Sequence, residues 1–307
     1  MYKEIRSARS EFVPIRGLSY HVHQWNAASA HDPAKPALVL LHGWMDVGAS
    51  YQFMVDALSN EFAEGRTIIA PDWRGFGQTL VPQTDSFWFP DYLADLDFLL
   101  DHYAPGQAVD LVGHSMGGNV VMNYAGVRPQ RVRRLVNLEG FGMAATRPSQ
   151  AAGRYADWLD KLHELHEGKV VIKPYDSADA VAGRLIKTNP RLSPDKAAWL
   201  AERWASPDAN GGWAIQGNPA HKLPNPQLYR ADETLELYAR ITAPTLMVEA
   251  SDDSLEQWWK GAYTLDQFHE RLKRLPDVRT AVLADTGHML HHDQPQPLAR
   301  LVEDFLS

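Results

Sequence analysis

The sequence predicts an α/β fold built on a mostly parallel sheet, and three observations carry that expectation. Short apolar runs rich in branched residues recur along the chain, longer amphipathic stretches separate them, and the runs end at Gly, Pro, Asp or Glu. A strand that is apolar along its whole length is covered on both faces, as inside a parallel sheet flanked by helices. The 307 residues, 45% of them hydrophobic and 22% charged, suffice for one large domain or a domain carrying an insertion.

Taken in order, residues 12–15 and 18–22, joined around Gly17, read as an antiparallel hairpin at one sheet edge. Buried strands are predicted at 37–41, 67–70, 109–112, 135–138, 245–248 and 280–283. From about Met143 to Tyr238 the strand rhythm gives way to helical stretches, 154–167 and 194–204, and then to a Gly/Pro/Asn-rich segment, 210–226. We read 143–238 as a helical cap inserted into a core domain formed by 1–142 and 239–307. Its Trp158, Trp199, Trp204 and Trp213 are expected to pack a core, the commoner fate of aromatic residues at helical spacing, so none is named as a substrate contact. An amphipathic helix over 297–306 closes the chain.

Composition removes several classes of function. A net charge of −8 disfavours nucleic-acid binding, which rests on clustered Lys and Arg. The one dense basic run, 128–134, reads as a solvated loop leading into a strand. The absence of cysteine excludes disulfides, thiolate metal sites and cysteine nucleophiles, and agrees with a reducing compartment. Met1-Tyr2-Lys3-Glu4-Ile5-Arg6 is followed by no apolar stretch, and no apolar run approaches membrane-spanning length. A cytoplasmic protein without a membrane span is the expectation.

Ligands in open α/β sheets bind beyond the carboxyl ends of the strands, so chemistry is sought in the residues after each run. Gly113-His114-Ser115-Met116-Gly117-Gly118 stands between the 109–112 strand and a helical stretch. The G-x-S-x-G pattern alone arises by chance in on the order of one chain in ten of this length. Its position between strand and helix is the stronger signal, because small flanking residues let the chain turn sharply and present the hydroxyl of Ser115. A serine needs a base, a group to orient that base, and donors for a developing oxyanion. His288, the first histidine after the 280–283 strand, is the candidate base. Asp253, in the turn after the 245–248 strand, is the expected orienting acid, with Asp252 and Glu139 as alternatives; the competing role for this aspartate pair is helix capping. The backbone N–H groups of Trp44 and Met116 are the expected oxyanion donors. His42 is expected to be a buried, hydrogen-bonded residue. His288, His291 and His292 lack an H-E-x-x-H type carboxylate, so no metal and no cofactor are expected.

Through Leu41-His42-Gly43-Trp44, the turn Ala70-Pro71-Asp72-Trp73-Arg74-Gly75-Phe76-Gly77, the motif at Ser115, residues 244–253 and Gly287-His288, nearly the whole chain resembles the α/β-hydrolase superfamily. The resemblance implies a nucleophile elbow at Ser115 and a triad completed by Asp253, which stands three residues after Ala250, and by His288. The chain is also similar to haloalkane dehalogenases and epoxide hydrolases, but has Ser115 where they place an aspartate. Serine implies acyl transfer to water, with a carboxylic ester or thioester of a small molecule as substrate. The cap's aromatic content points to an apolar acyl or aryl group. The alternatives are hydrolysis of a carbon–carbon bond next to a ketone, whose H-G-x-G-P-G type loop is replaced here by His42-Gly43-Trp44-Met45-Asp46, and a non-catalytic ligand-binding member of the fold.

Overall fold

The apolar runs become β3 (Leu38–Leu41), β4 (Ile68–Pro71), β5 (Val109–His114), β6 (Val132–Leu138), β9 (Thr245–Ala250) and β10 (Val278–Leu283), which follow the hairpin β1 (Arg9–Ile15) and β2 (Leu18–Trp25). A separate antiparallel pair, β7 (Ala205–Pro207) and β8 (Trp213–Ile215), lies between 143 and 238, where the strand rhythm was expected to stop. The computed structural model describes residues 2–26, 32, 34–209 and 211–307. Met1 and Asn210, which open the amino-terminal segment and the Gly/Pro/Asn-rich stretch read above, lie outside the described residues.

The main sheet has the order β1-β2-β4-β3-β5-β6-β9-β10. β1 and β2 pair antiparallel and β2 joins β4 antiparallel, while every later pairing is parallel. Side chains alternate across a strand, so Val39 and Leu41 enter one apolar cluster while Leu38 and Leu40 enter another on the opposite face. Leu111 and Val112, and Leu135 and Val136, divide in the same way. Helices Phe89–Tyr103 and Met116–Val127 cover the first face, and Gln52–Ala57 and Pro295–Leu306 the second. β10 departs from the expectation of a strand covered on both faces: it pairs only with β9, and Val282 is 69% exposed.

The basic run also differs from a solvated loop. Arg133, in β6, makes two hydrogen bonds to the fully buried carboxylate of Asp110, at 2.8 and 2.6 Å, and Arg66 reaches the same carboxylate at 3.0 Å. A charge cannot be buried cheaply without such partners, so these arginines are held by Asp110 inside the edge of the core.

Between β6 and β9, helices Ala178–Thr188 and Pro194–Trp204 bury Val181, Leu192, Ala197, Trp199 and Leu200 against Val47 and Phe53 from the loop and helix after β3. Trp204 and Trp213 pack on that cluster, as expected of core aromatics, whereas Trp158 does not. Helix Ala151–His166 buries no residue completely. Among the described residues, no helix is long and apolar enough to cross a membrane.

Candidate active site

β5 ends at His114, and Ser115 turns the chain into helix Met116–Val127 with φ 53° and ψ −114°. The flanking glycines are demanded by close backbone packing. A Cβ on Gly113 would lie 2.3 Å from the carbonyl oxygen of Gly117, and one on Gly117 would lie 2.1 Å from that of Leu41. Ser115 shares its positive φ with Met45, Glu139 and Asp285, which follow β3, β6 and β10. Backbone strain of this kind costs about 1–3 kcal/mol per residue and gathers where geometry serves a site. Here it gathers at the carboxyl ends of the parallel strands, where the sequence placed the chemistry.

His288 meets a carboxylate at that end, and the carboxylate is that of Glu139: the imidazole Nδ1 lies 3.3 Å from Glu139 Oε2. Glu139 is held in turn by the Ala250 N–H at 2.7 Å and the Ser254 hydroxyl at 2.6 Å. The other face of the site is closed by Trp258, whose ring meets His288 edge-on at 4.2 Å, and by His114, whose Nε2 lies 2.7 Å from the His288 carbonyl oxygen.

The carboxylate that meets His288 is thus the alternative Glu139 and not Asp253, which was expected there. The Asp253 side chain is exposed and caps helix Ser254–Trp259, accepting from the Glu256 N–H at 2.9 Å. Asp252 is committed to Arg191, from the segment between β6 and β9, at 2.7 Å. The physical reason lies in the strand order. β6 stands between β5, which carries Ser115, and β9, so a side chain from the end of β6 lies between the serine and a histidine arriving from β10. The aspartates after β9 are turned outward by the cap and by the ion pair.

Burial pushes the Glu139 carboxyl up from 4.5 to about 7 and the His288 imidazole down to about 3. Asp253 and Asp252 add to the rise at Glu139, against the hydrogen bonds from Ser254 and Ala250. A carboxyl with a raised pKa in the folded chain contributes stability that is complete below the unfolded value and is lost as pH rises through about 7. Glu139→Gln is therefore expected to gain stability over the parent between pH 5 and pH 8, by up to about 3 kcal/mol from the size of the shift. His288 works in the opposite sense in both proteins and largely cancels in the difference. Denaturant melts at the two pH values read it, and a difference independent of pH contradicts it.

The loop after β3 passes close to the serine. A Cβ on Gly43 would lie 3.1 Å from Ser115 Cβ, and β3 pairs with β5 through Leu41 and Gly113. Met116 occupies the first helical position, where the N–H has no partner within the helix. His42 is fully buried as expected: its Nδ1 meets the Gly43 carbonyl at 2.7 Å, and its Nε2 accepts from the Trp73 N–H at 2.9 Å. Asp72 fastens the loop from below, accepting from Gly48 N–H at 2.7 Å and Gln78 N–H at 2.9 Å and bonding His21 at 2.7 Å.

Ser115 opens onto two cavities. One, of about 240 Å³, is shared with Asn119, Glu139, Phe141, Trp258 and Trp259. The other, of about 640 Å³, is walled by Trp44, Phe87, Trp88, Phe89, Trp158, Ala220, His221 and residues 223–227. Asn119 lines both and accepts from the Gly142 N–H at 2.8 Å. Sequence reasoning missed Asn119 and Trp258; Asn119 lies one helical turn after Ser115, on the same face, which is the signal that pointed to it. Trp158 lines a cavity where its spacing predicted packing.

The chain matches the family described as alpha/beta hydrolase fold over residues 36–295. It belongs to that family. It is 26% identical over 314 residues to a serine hydrolase-like protein of Danio rerio, covering 98% of this chain and 90% of that one. It is 24% identical over 336 residues to an epoxide hydrolase of Caballeronia sordidicola, covering 100% and 96%. Among solved structures it is similar to a thioesterase domain from the curacin biosynthetic pathway, with TM-score 0.81, 23% identity and coverage of 96% and 99%.

Proposed function

We propose that the protein is a serine hydrolase that cleaves a carboxylic ester or thioester of a small molecule through an acyl-enzyme on Ser115. The observation that carries this reading is a histidine bonded to a buried carboxylate, Glu139, which lines one cavity together with a serine on a strained turn. His288, kept neutral by burial, takes the proton from the Ser115 hydroxyl as it attacks the substrate carbonyl. Glu139 accepts from Nδ1–H, fixes the tautomer and stabilises the imidazolium that forms. The N–H groups of Trp44 and Met116 receive the oxyanion. The imidazolium then protonates the leaving alcohol or thiol, and water, deprotonated by the same histidine, releases the acid.

The epoxide hydrolase relative does not extend its named activity to this chain, because a serine alkoxide attacking an epoxide gives a stable ether, whereas a serine ester turns over with water. Segment 143–238 serves as a lid, contributing Trp158, Ala220, His221 and 223–227 to the larger cavity. The apolar lining favours an acyl or aryl group of moderate size.

A panel of p-nitrophenyl esters and acyl thioesters of graded chain length tests the reading. A kcat/KM maximum at a medium acyl length is expected, with a fall for chains too long for the cavity. Cleavage of a β-diketone with no turnover on any ester assigns the carbon–carbon alternative instead.

A further inference from the structure

Behind the nucleophile lies a second cluster that the acyl-transfer chemistry does not use. Asp46 from the loop after β3, His114 at the end of β5 and His291 in the turn Leu290–Asp293 converge, with one donor atom of each within 4.8 Å of the others. All three are buried, at 6%, 2% and 0% exposure. Asp46 Oδ2, His114 Nδ1 and both ring nitrogens of His291 have no hydrogen-bond partner among the described residues. Leaving such atoms buried and unpaired costs about 1–3 kcal/mol each.

The other atoms of these side chains are engaged in a way that frees the converging ones. His114 Nε2 lies 2.7 Å from the His288 carbonyl oxygen, so Nε2 carries the hydrogen and Nδ1 is left as a bare lone pair. Asp46 Oδ1 accepts from the Ser50 hydroxyl, leaving Oδ2 free. His291 is held in place by stacking on Tyr51 at 5.0 Å and by ring contacts with His114 and His292. A histidine that gives its second N–H to a carbonyl is the usual preparation of an imidazole ligand. Burial also holds both imidazoles well below their ordinary pKa, in the neutral form that a metal requires.

We propose that Asp46 Oδ2, His114 Nδ1 and a ring nitrogen of His291 bind one divalent transition-metal ion, of the zinc or cobalt type, behind the nucleophile. Two imidazoles and a carboxylate are a donor set that suits such ions. Tetrahedral bonds of about 2.0–2.1 Å place ligand atoms about 3.3 Å apart, so binding draws the three donors together by about an ångström. The ion ties together the strand ends that carry the Trp44 loop, Ser115 and His288, which makes it structural. It is independent of the reaction assigned to Ser115. The sequence hides it, because His291 lacks a neighbouring carboxylate motif and its carboxylate comes from residue 46.

The test uses the full chain refolded with Co²⁺, since the buried site is reached from the unfolded state. One Co²⁺ per chain by elemental analysis is expected, with a visible ligand-field band that Zn²⁺ abolishes. Asp46→Asn, an isosteric change that retains the Ser50 contact, should lose both signals, while Ser115→Ala and a surface variant, His166→Ala, keep them. Thermal melting of the parent should rise by several degrees in excess Zn²⁺, a readout that does not depend on any variant folding. Substoichiometric cobalt, an unchanged melt, a band that survives in Asp46→Asn, or an ordered water refined at the centre of the three donors in crystals grown with Zn²⁺ would each overturn the proposal.

Discussion

Glu139→Gln is expected to lower kcat on a p-nitrophenyl ester by about 10³–10⁴, the loss typical of an orienting acid converted to its amide. Asp253→Asn should change it by no more than a few-fold. The amide can keep the Ala250 contact, but it carries no charge to stabilise the imidazolium and can hold His288 in the wrong tautomer. Asp253 contributes a cap to helix Ser254–Trp259, so its replacement by Asn, itself a good cap, costs little stability. The pH profile follows from the same pair. With Glu139 pushed up to about 7 and His288 down to about 3, the acid limb of kcat/KM should fall near neutrality and belong to the pair rather than to an isolated histidine. Steady-state rates of the two variants decide between the carboxylates. A large loss in Asp253→Asn with a small one in Glu139→Gln would return the role to the aspartate.

Ser115→Ala is expected to remove roughly 10⁵–10⁶ of kcat, the scale on which a triad serine acts with its base as one unit. The residue that remains should come from the oxyanion donors and the cavity, which the substitution leaves in place. Circular dichroism should be unchanged, because the elbow is set by Gly113 and Gly117 against the backbone of β3 and its own helix rather than by the hydroxyl. Activity retained at more than about a thousandth of the parent would place the nucleophile elsewhere.

The strands of the main sheet were legible because period, length and bounding residues agree for each buried run. The serine was legible because its pattern falls at a strand end. The carboxylate that meets His288 was not, since both Glu139 and Asp253 follow buried strands and only the lateral order of β5, β6, β9 and β10 separates them. That order is a property of pairing across the sheet and leaves no local mark in sequence. Trp158 escaped for a related reason: its helical spacing matches that of Trp199 and Trp204, and only the packing of helix Ala151–His166 over the cleft distinguishes a wall from a core. Asp46, which converges on His291 behind the nucleophile, is distant in sequence in the same way.

The central claim is that Ser115 is an activated nucleophile, and intact-protein mass spectrometry after reaction with a fluorophosphonate tests it most directly. The account predicts a single adduct per chain, mapped by peptide sequencing to Ser115, absent in Ser115→Ala and slowed by orders of magnitude in Glu139→Gln. No adduct on folded protein, or an adduct on another residue, contradicts it.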